Sequence, residues 1–171
     1  MEELLMNYKE IDIRDLNKSA VKLFDGNWAL LTAGAPGKFN SMTVSWGALG
    51  FIWGFPAAFT VVRPQRYTYE FMEKSEFFTL SFFPPENHKE LSVFGSKSGR
   101  DFDKFAATGL KSVTKDGFVY VDGAEAVLFC RKIAFQDINP AGFIDGSIAG
   151  NYNNDYHRMF IGNIQSVLTQ I

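Results

Sequence analysis

The chain has 171 residues, 46% hydrophobic and 21% charged, which is enough apolar material for one packed core and argues against disorder. With 17 basic and 19 acidic side chains the formal net charge is -2, so there is no electrostatic footprint for nucleic acid or an anionic membrane. A lone cysteine, Cys130, excludes an internal disulfide and any zinc site made from several thiolates.

Aromatic residues reach 16%, with 18 phenylalanines, a content that suits strands and barrel interiors. The first twenty-odd residues are charged and mixed, and Asp25-Gly26 closes them with a turn signal. Trp28–Thr32 then reads as a strand, and Ala33 to Gly37 as a loop. Asn40–Phe51 and Ala57–Arg63 are the next strands, separated by Gly54-Phe55-Pro56. No charge interrupts the stretch between Asn40 and Arg63, but its glycines, proline and hydroxyls fit two strands and a turn, not a membrane helix. Thr68–Lys74 reads as a short helix and Phe77–Phe83 as an aromatic strand stopped by Pro84-Pro85.

Glu86–Phe94 has the pattern of a surface helix. Ser98-Gly99-Arg100-Asp101 has capping-box spacing ahead of a helix over Asp103–Ala107. Phe118–Val121, Ala126–Phe135 and His157–Val167 are further strands, with loops at 139–142 and 150–155. Cys130 lies in the apolar run from Val127 and reads as a small buried hydrophobe. Six or seven strands with two or three short helices, never alternating regularly, predict a closed or nearly closed antiparallel barrel. No linker divides the chain, so residues 1–171 are expected to form a single domain. Without a disulfide framework or a basic and apolar leader, the expected location is cytoplasmic.

Candidate chemistry concentrates in three segments. Strand alternation along Asn40 to Trp46 puts Ser41, Thr43 and Ser45 on one face and Met42, Val44 and Trp46 on the other. The apolar row can enter the core, and the hydroxyl row, if buried, needs partners. Arg63-Pro64-Gln65-Arg66-Tyr67-Thr68 sets two guanidinium groups where a strand ends and a helix begins. That arrangement suits a phosphate, and equally a surface turn paired with acids. Lys97-Ser98-Gly99-Arg100-Asp101 is again cationic at a helix start, fit for an anion or for simple capping. His88 and His157 are the only histidines, and neither has a second metal ligand at helical or hairpin spacing. The glycines of 142–150 match no phosphate loop, and there is no nucleophile elbow.

Taken together, Asn40 to Gly47, Arg63 to Glu70 and Ser98 to Phe105 resemble the flavin reductase-like family of FMN-binding split barrels, most closely its flavoredoxin-type branch. His157 to Ile164 resembles that family's last barrel strand, and the match spans roughly residues 25 to 165. The resemblance implies a six-stranded antiparallel split barrel of Greek-key type with short peripheral helices, forming a homodimer with one FMN per subunit. It implies that Asn40, Ser41, Met42, Thr43, Val44, Ser45 and Trp46 border the isoalloxazine. Arg63, Arg66, Tyr67 and Thr68, with Lys97, Ser98, Gly99, Arg100 and Asp101, are expected toward the phosphate. Ser81 and Phe82 are weaker candidates for ring contact, and His157 is a candidate for the substrate side. Asn163 departs from the glutamate that relatives often carry there. The implied function is an FMN-dependent oxidoreductase that takes a hydride from NAD(P)H and passes electrons onward. The alternative is a flavoredoxin-like carrier with a protein electron donor or acceptor and no nicotinamide site. A third reading is a split barrel for another planar ligand such as haem.

Overall fold

The computed structural model describes residues 8–171. Among them the chain is mainly β and pairs antiparallel throughout. The strands are β1 (Tyr8–Ile11), β2 (Ala29–Ala35), β3 (Lys38–Val44), β4 (Gly47–Ile52) and β5 (Phe55–Val62), then β6 (Phe77–Phe82). They continue with β7 (Ser112–Lys115), β8 (Phe118–Val121), β9 (Ala126–Asp137) and β10 (Arg158–Gln170). The helices are α1 (Ala20–Lys22), α2 (Tyr67–Lys74), α3 (His88–Ser96) and α4 (Lys104–Thr108).

The main sheet runs β3-β2-β6-β9-β10-β5-β4, with β1 also paired to β10, while β7 and β8 make a separate ribbon. Period-2 alternation decides what each central strand buries. On β2, Ala29, Leu31 and Ala33 enter one cluster and Leu30 another; on β9, Leu128 and Cys130 oppose Val127 and Phe129. The first cluster draws on β2, β3, β5, β6, β9 and β10, so these strands wrap one interior, the expected six-stranded split barrel. The second lies outside it, where α3 and the β7–β8 ribbon cover the sheet. Burial on both faces explains why these strands read as continuous apolar runs.

Closure depends on β10. Its register against β9 shifts at Ile161/Gly162 and again at Ile164/Ser166, the bulges that bend a strand round a barrel. A Cβ on Gly162 would stand 2.5 Å from the Phe78 ring and 2.8 Å from the Cys130 Cβ, so only glycine fits where the wall curves inward.

The details depart from the sequence reading in five places, the first being the turn read at Gly54-Phe55-Pro56, which lies at Trp53-Gly54 because Phe55 and Pro56 already pair with β4. The strand expected over Asn40–Phe51 is two strands, because β3 pairs with β2 and β4 with β5, and the chain changes partner at Ser45-Trp46. The loop expected over residues 33–37 shrinks to Pro36-Gly37, since β2 continues to Ala35. β1 and β7 were missed: both are four residues long and lack an apolar run. The capping box at Ser98 does not cap α4; the N-cap is Asp103, which accepts from Ala106 N at 3.0 Å, while Ser98 Oγ accepts from Arg100 N in the preceding turn.

Candidate functional site: two clefts that share Arg66

The terminal strands of the main sheet path, β3 and β4, follow one another in sequence, so the barrel splits where the chain leaves β3. Among the described residues β3 has a ladder partner on one side only, and no strand of theirs pairs with its outer edge. A cleft of about 200 Å³ opens along this split. It is lined by Met42 to Trp46, by Val61 from β5 and Arg63 just past its end, and by Arg66 and His157.

The second cleft, of about 180 Å³, is lined by Asn40, Gln65, Arg66, Tyr67, Thr68, the loop from Ser96 to Arg100, and Lys104. Four cations therefore converge on it. Arg100 pairs with Glu70 and lies over the Tyr67 ring, 4.7 Å from its centroid. Among the described residues Arg66, Lys97 and Lys104 have no carboxylate within salt-bridge reach. The Arg66 guanidinium donates instead to the carbonyls of Gly95 and, at 3.0 Å, Phe94, which are backbone acceptors at the end of α3. Lys104 Nζ donates to the Ser41 carbonyl and stands 5.3 Å from the Phe94 ring centroid. Among the described residues no side chain caps α2 at Arg66, so the N–H groups of its first turn add to this positive surface. Gly99 belongs to the same construction, because any Cβ there would collide with Asn40 Oδ1.

The electrostatics carry the same sign. Burial, then repulsion from Arg66, lowers the Lys104 ammonium to about 8. Burial and the neighbouring Arg63 lower Arg66 as well. Cations that destabilise one another without a carboxylate between them form a site that an anion relieves.

The split cleft is balanced differently. Arg63 is paired with Asp155, donates to the Asn151 carbonyl at 2.8 Å, and lies over the Tyr152 ring. Gln65 holds the same carboxylate at 2.7 Å. His157 is buried, shares a hydrogen bond between Nδ1 and the Tyr152 hydroxyl at 2.9 Å, and faces Trp46 at 5.4 Å. Burial first, and Arg63 second, push its imidazole down to about 4 despite Asp155, so it is neutral at pH 7. The unfolded chain binds a proton at this residue from about 6.5, the folded chain only near 4. Stability is therefore complete above pH 6.5 and falls as pH drops through that window. Tm measured from pH 7 to pH 4 should fall less steeply in His157→Gln than in the wild type, and parallel slopes would contradict this.

Most of the expected site residues reach one of the clefts, but in divided roles. Arg63 lies with Trp46 and His157 instead of joining the cationic cleft. The hydroxyl row is largely consumed by the fold. Ser41 Oγ is 2.7 Å from Thr32 Oγ1, and Thr43 Oγ1 donates to the Leu91 carbonyl, leaving Ser45 in the cleft. Asn40 Nδ2 donates to Thr68 Oγ1 at 2.7 Å, which ties β3 to the start of α2. Ser41, Asp101, Ser81 and Phe82 line neither cleft. Ser81 Oγ accepts from Val121 N at 3.1 Å and Phe82 packs on Phe24 in the barrel interior, so ring contact by these two is withdrawn because both are fully buried elsewhere. Asn163 lies in β10 opposite Arg131 and Ala57 and also lines neither. Lys104 went unnoticed as a site residue; its signal was a cation between Phe102 and Phe105 in a stretch read only as a short helix.

Residues 21–170 match the family model described as flavin reductase like domain. The chain belongs to this family. None of the functionally curated proteins matches it. The flavin reductase like domain is similar in structure to an FMN-binding domain of a flavin reductases-like enzyme from Shewanella baltica. The TM-score is 0.70 at 21% identity, covering 96% of this chain and 78% of that one. It is similar to flavoredoxin of Desulfovibrio vulgaris, with TM-score 0.65 at 21% identity over 91% and 75% of the two chains. An NADH:FAD oxidoreductase from Streptomyces globisporus gives 0.62 at 17% identity over 85% and 75%. At these identities the likenesses show that this flavin reductase like domain shares the fold of those proteins.

Proposed function

We propose that this domain binds FMN across the two clefts and works as an oxidoreductase that receives a hydride from NAD(P)H. The observation that carries the reading is the convergence of Arg66, Lys97 and Lys104, none with a carboxylate partner among the described residues, on a cleft joined to the barrel split. This donor set fits a phosphate dianion, which supplies the missing negative charge. Arg66, Lys104, Lys97 and the first turn of α2 would hold that phosphate. The outer edge of β3 offers backbone groups to the polar edge of a flat ring, with Val61 and Trp46 as apolar walls. His157, neutral, and Arg63, compensated by Asp155, bring little net charge to the ring side. When bound, FMN supplies the redox chemistry, and the protein supplies orientation and electrostatics.

A single-domain, cytoplasmic homodimer belongs to the same proposal. Among the described residues no helix is long and apolar enough to cross a membrane. The β4–β5 hairpin leaves Phe51, Trp53 and Phe55 exposed, an apolar surface suited to a second copy. The deciding experiment reconstitutes the protein with FMN and adds NADH or NADPH under anaerobic conditions. Prompt bleaching of the visible absorbance is expected. Bound flavin that stays oxidised would instead make the protein a carrier fed by another protein, and failure to take up FMN would end the flavin reading.

A further inference from the structure

We infer that a third cleft, on the far side of Trp46, is the electron-acceptor subsite and is shaped for a planar aromatic cation. This rests on the flavin reading of the split cleft, with which it shares a wall. The third cleft holds about 450 Å³, and Ser45 and Trp46 border both it and the split cleft. Three aromatic residues line it, Phe24, Trp28 and Trp46, and Asp25 is the one charged residue in its wall. Trp28 is the strained member. Its φ of 101° and ψ of 154° fall in a region that glycine occupies almost alone, yet the chain places its largest kind of side chain there. The conformation is held from both sides: Trp28 N donates to the Leu23 carbonyl at 3.2 Å, and the Trp28 carbonyl accepts from Phe83 N at 3.0 Å. The indole then stacks on His88, with ring centroids 3.8 Å apart and planes 11° from parallel, which fixes its orientation. Phe24 is buried, edge-on to Phe82. Gly47 makes room for it, because a Cβ there would stand 2.5 Å from the Phe24 ring.

Held rings suit a flat ligand, and the charge decides which one. Among the described residues Asp25 has no cation within salt-bridge reach. Aromatic faces attract a cation, and an unpaired carboxylate adds to that attraction. A neutral ring gains neither, and an anionic one is repelled. The place beside the flavin cleft supplies the redox role. The bound cation takes a hydride from flavin that NAD(P)H has reduced: a bond from hydrogen to a ring atom of the acceptor forms, and the N–H bond of the reduced flavin breaks. The flavin is oxidised and the acceptor reduced. The hydride also cancels the acceptor's positive charge, so the product loses the pull of Asp25 and of the ring faces and departs.

The test titrates the full-length protein, with and without FMN, by calorimetry with N-methylquinolinium and with quinoline at pH 8, where quinoline is neutral. The cation should bind about tenfold more tightly than its neutral counterpart, and Asp25→Asn should bring the two within about twofold. Trp28→Leu should weaken both, because both stack. Asp25 is exposed, so Asp25→Asn carries the test if Trp28→Leu fails to fold. NAD+ should leave the affinity for the cation unchanged. In a second arm the bound flavin is reduced with dithionite and mixed anaerobically with N-methylphenazinium. Reoxidation should saturate with acceptor concentration, and Asp25→Asn should raise the half-saturating concentration about fivefold. Equal binding of quinolinium and quinoline, displacement of the cation by NAD+, or reoxidation that rises linearly without saturating overturns the proposal. FMN uptake is scored separately. FMN binding without charge-selective binding of the cation sinks the acceptor subsite alone, whereas charge-selective binding to a protein that takes up no FMN sinks the flavin reading and the acceptor role with it.

Discussion

Replacing Arg66 by alanine is expected to weaken FMN binding on the order of 100-fold, ~2.7 kcal/mol, while riboflavin affinity changes by less than about threefold. The difference isolates the phosphate, the one group by which the two ligands differ. Arg66 is the residue both clefts share and the half-buried cation of the phosphate cleft whose planar fork already bridges two carbonyls of α3. Its removal leaves those carbonyls and the phosphate without their common donor. Arg66→Lys should recover only part of the loss, because an ammonium cannot span the carbonyls and a phosphate together. Isothermal titration with both ligands on each variant makes the measurement, and equal losses for FMN and riboflavin would show that Arg66 only supports the fold.

The second large effect is a pH dependence centred on Lys104. The free protein loses the Lys104 proton near pH 8, whereas a bound phosphate stabilises the ammonium and raises its pKa. FMN affinity should therefore be flat below about pH 7.5 and fall as pH rises, by up to about tenfold per unit above 8. The ligand phosphate is already a dianion through this range, with its second ionisation near 6, so the slope belongs to the protein. Lys104→Arg should abolish the slope between pH 7 and 9, since a guanidinium keeps its charge. Riboflavin should show none in either protein. A flat wild-type profile would remove Lys104 from phosphate recognition.

How much of this was legible in the sequence depends on the kind of interaction involved. Alternation along Asn40 to Val44 correctly sent Met42 and Val44 to the core, because strand geometry is local and repeats every two residues. It did not show that Ser41 and Thr43 would be taken by Thr32 and the Leu91 carbonyl, partners that only folding brings near. The same limit separates the two arginines of one short segment. Arg63 finds Asp155, 92 residues away, while Arg66 finds carbonyls alone, and no spacing rule distinguishes them. Ser81 and Phe82 were placed beside a ring by the resemblance alone, yet β6 lies between β2 and β9 and both side chains are buried.

By itself the sequence determined the β-rich class, the strands built from apolar runs, the turn signals, the burial of Cys130 and the presence of two cationic segments, Arg63–Thr68 and Lys97–Asp101. Each of these follows from local geometry or from composition. Tertiary structure alone decided that the barrel splits beside β3, and that among the described residues Arg63 has a carboxylate partner while Arg66 and the buried Lys104 have none. The reason is physical: a pairing or a desolvation depends on which distant groups share a low-dielectric space, and that is known only once the chain has closed upon itself.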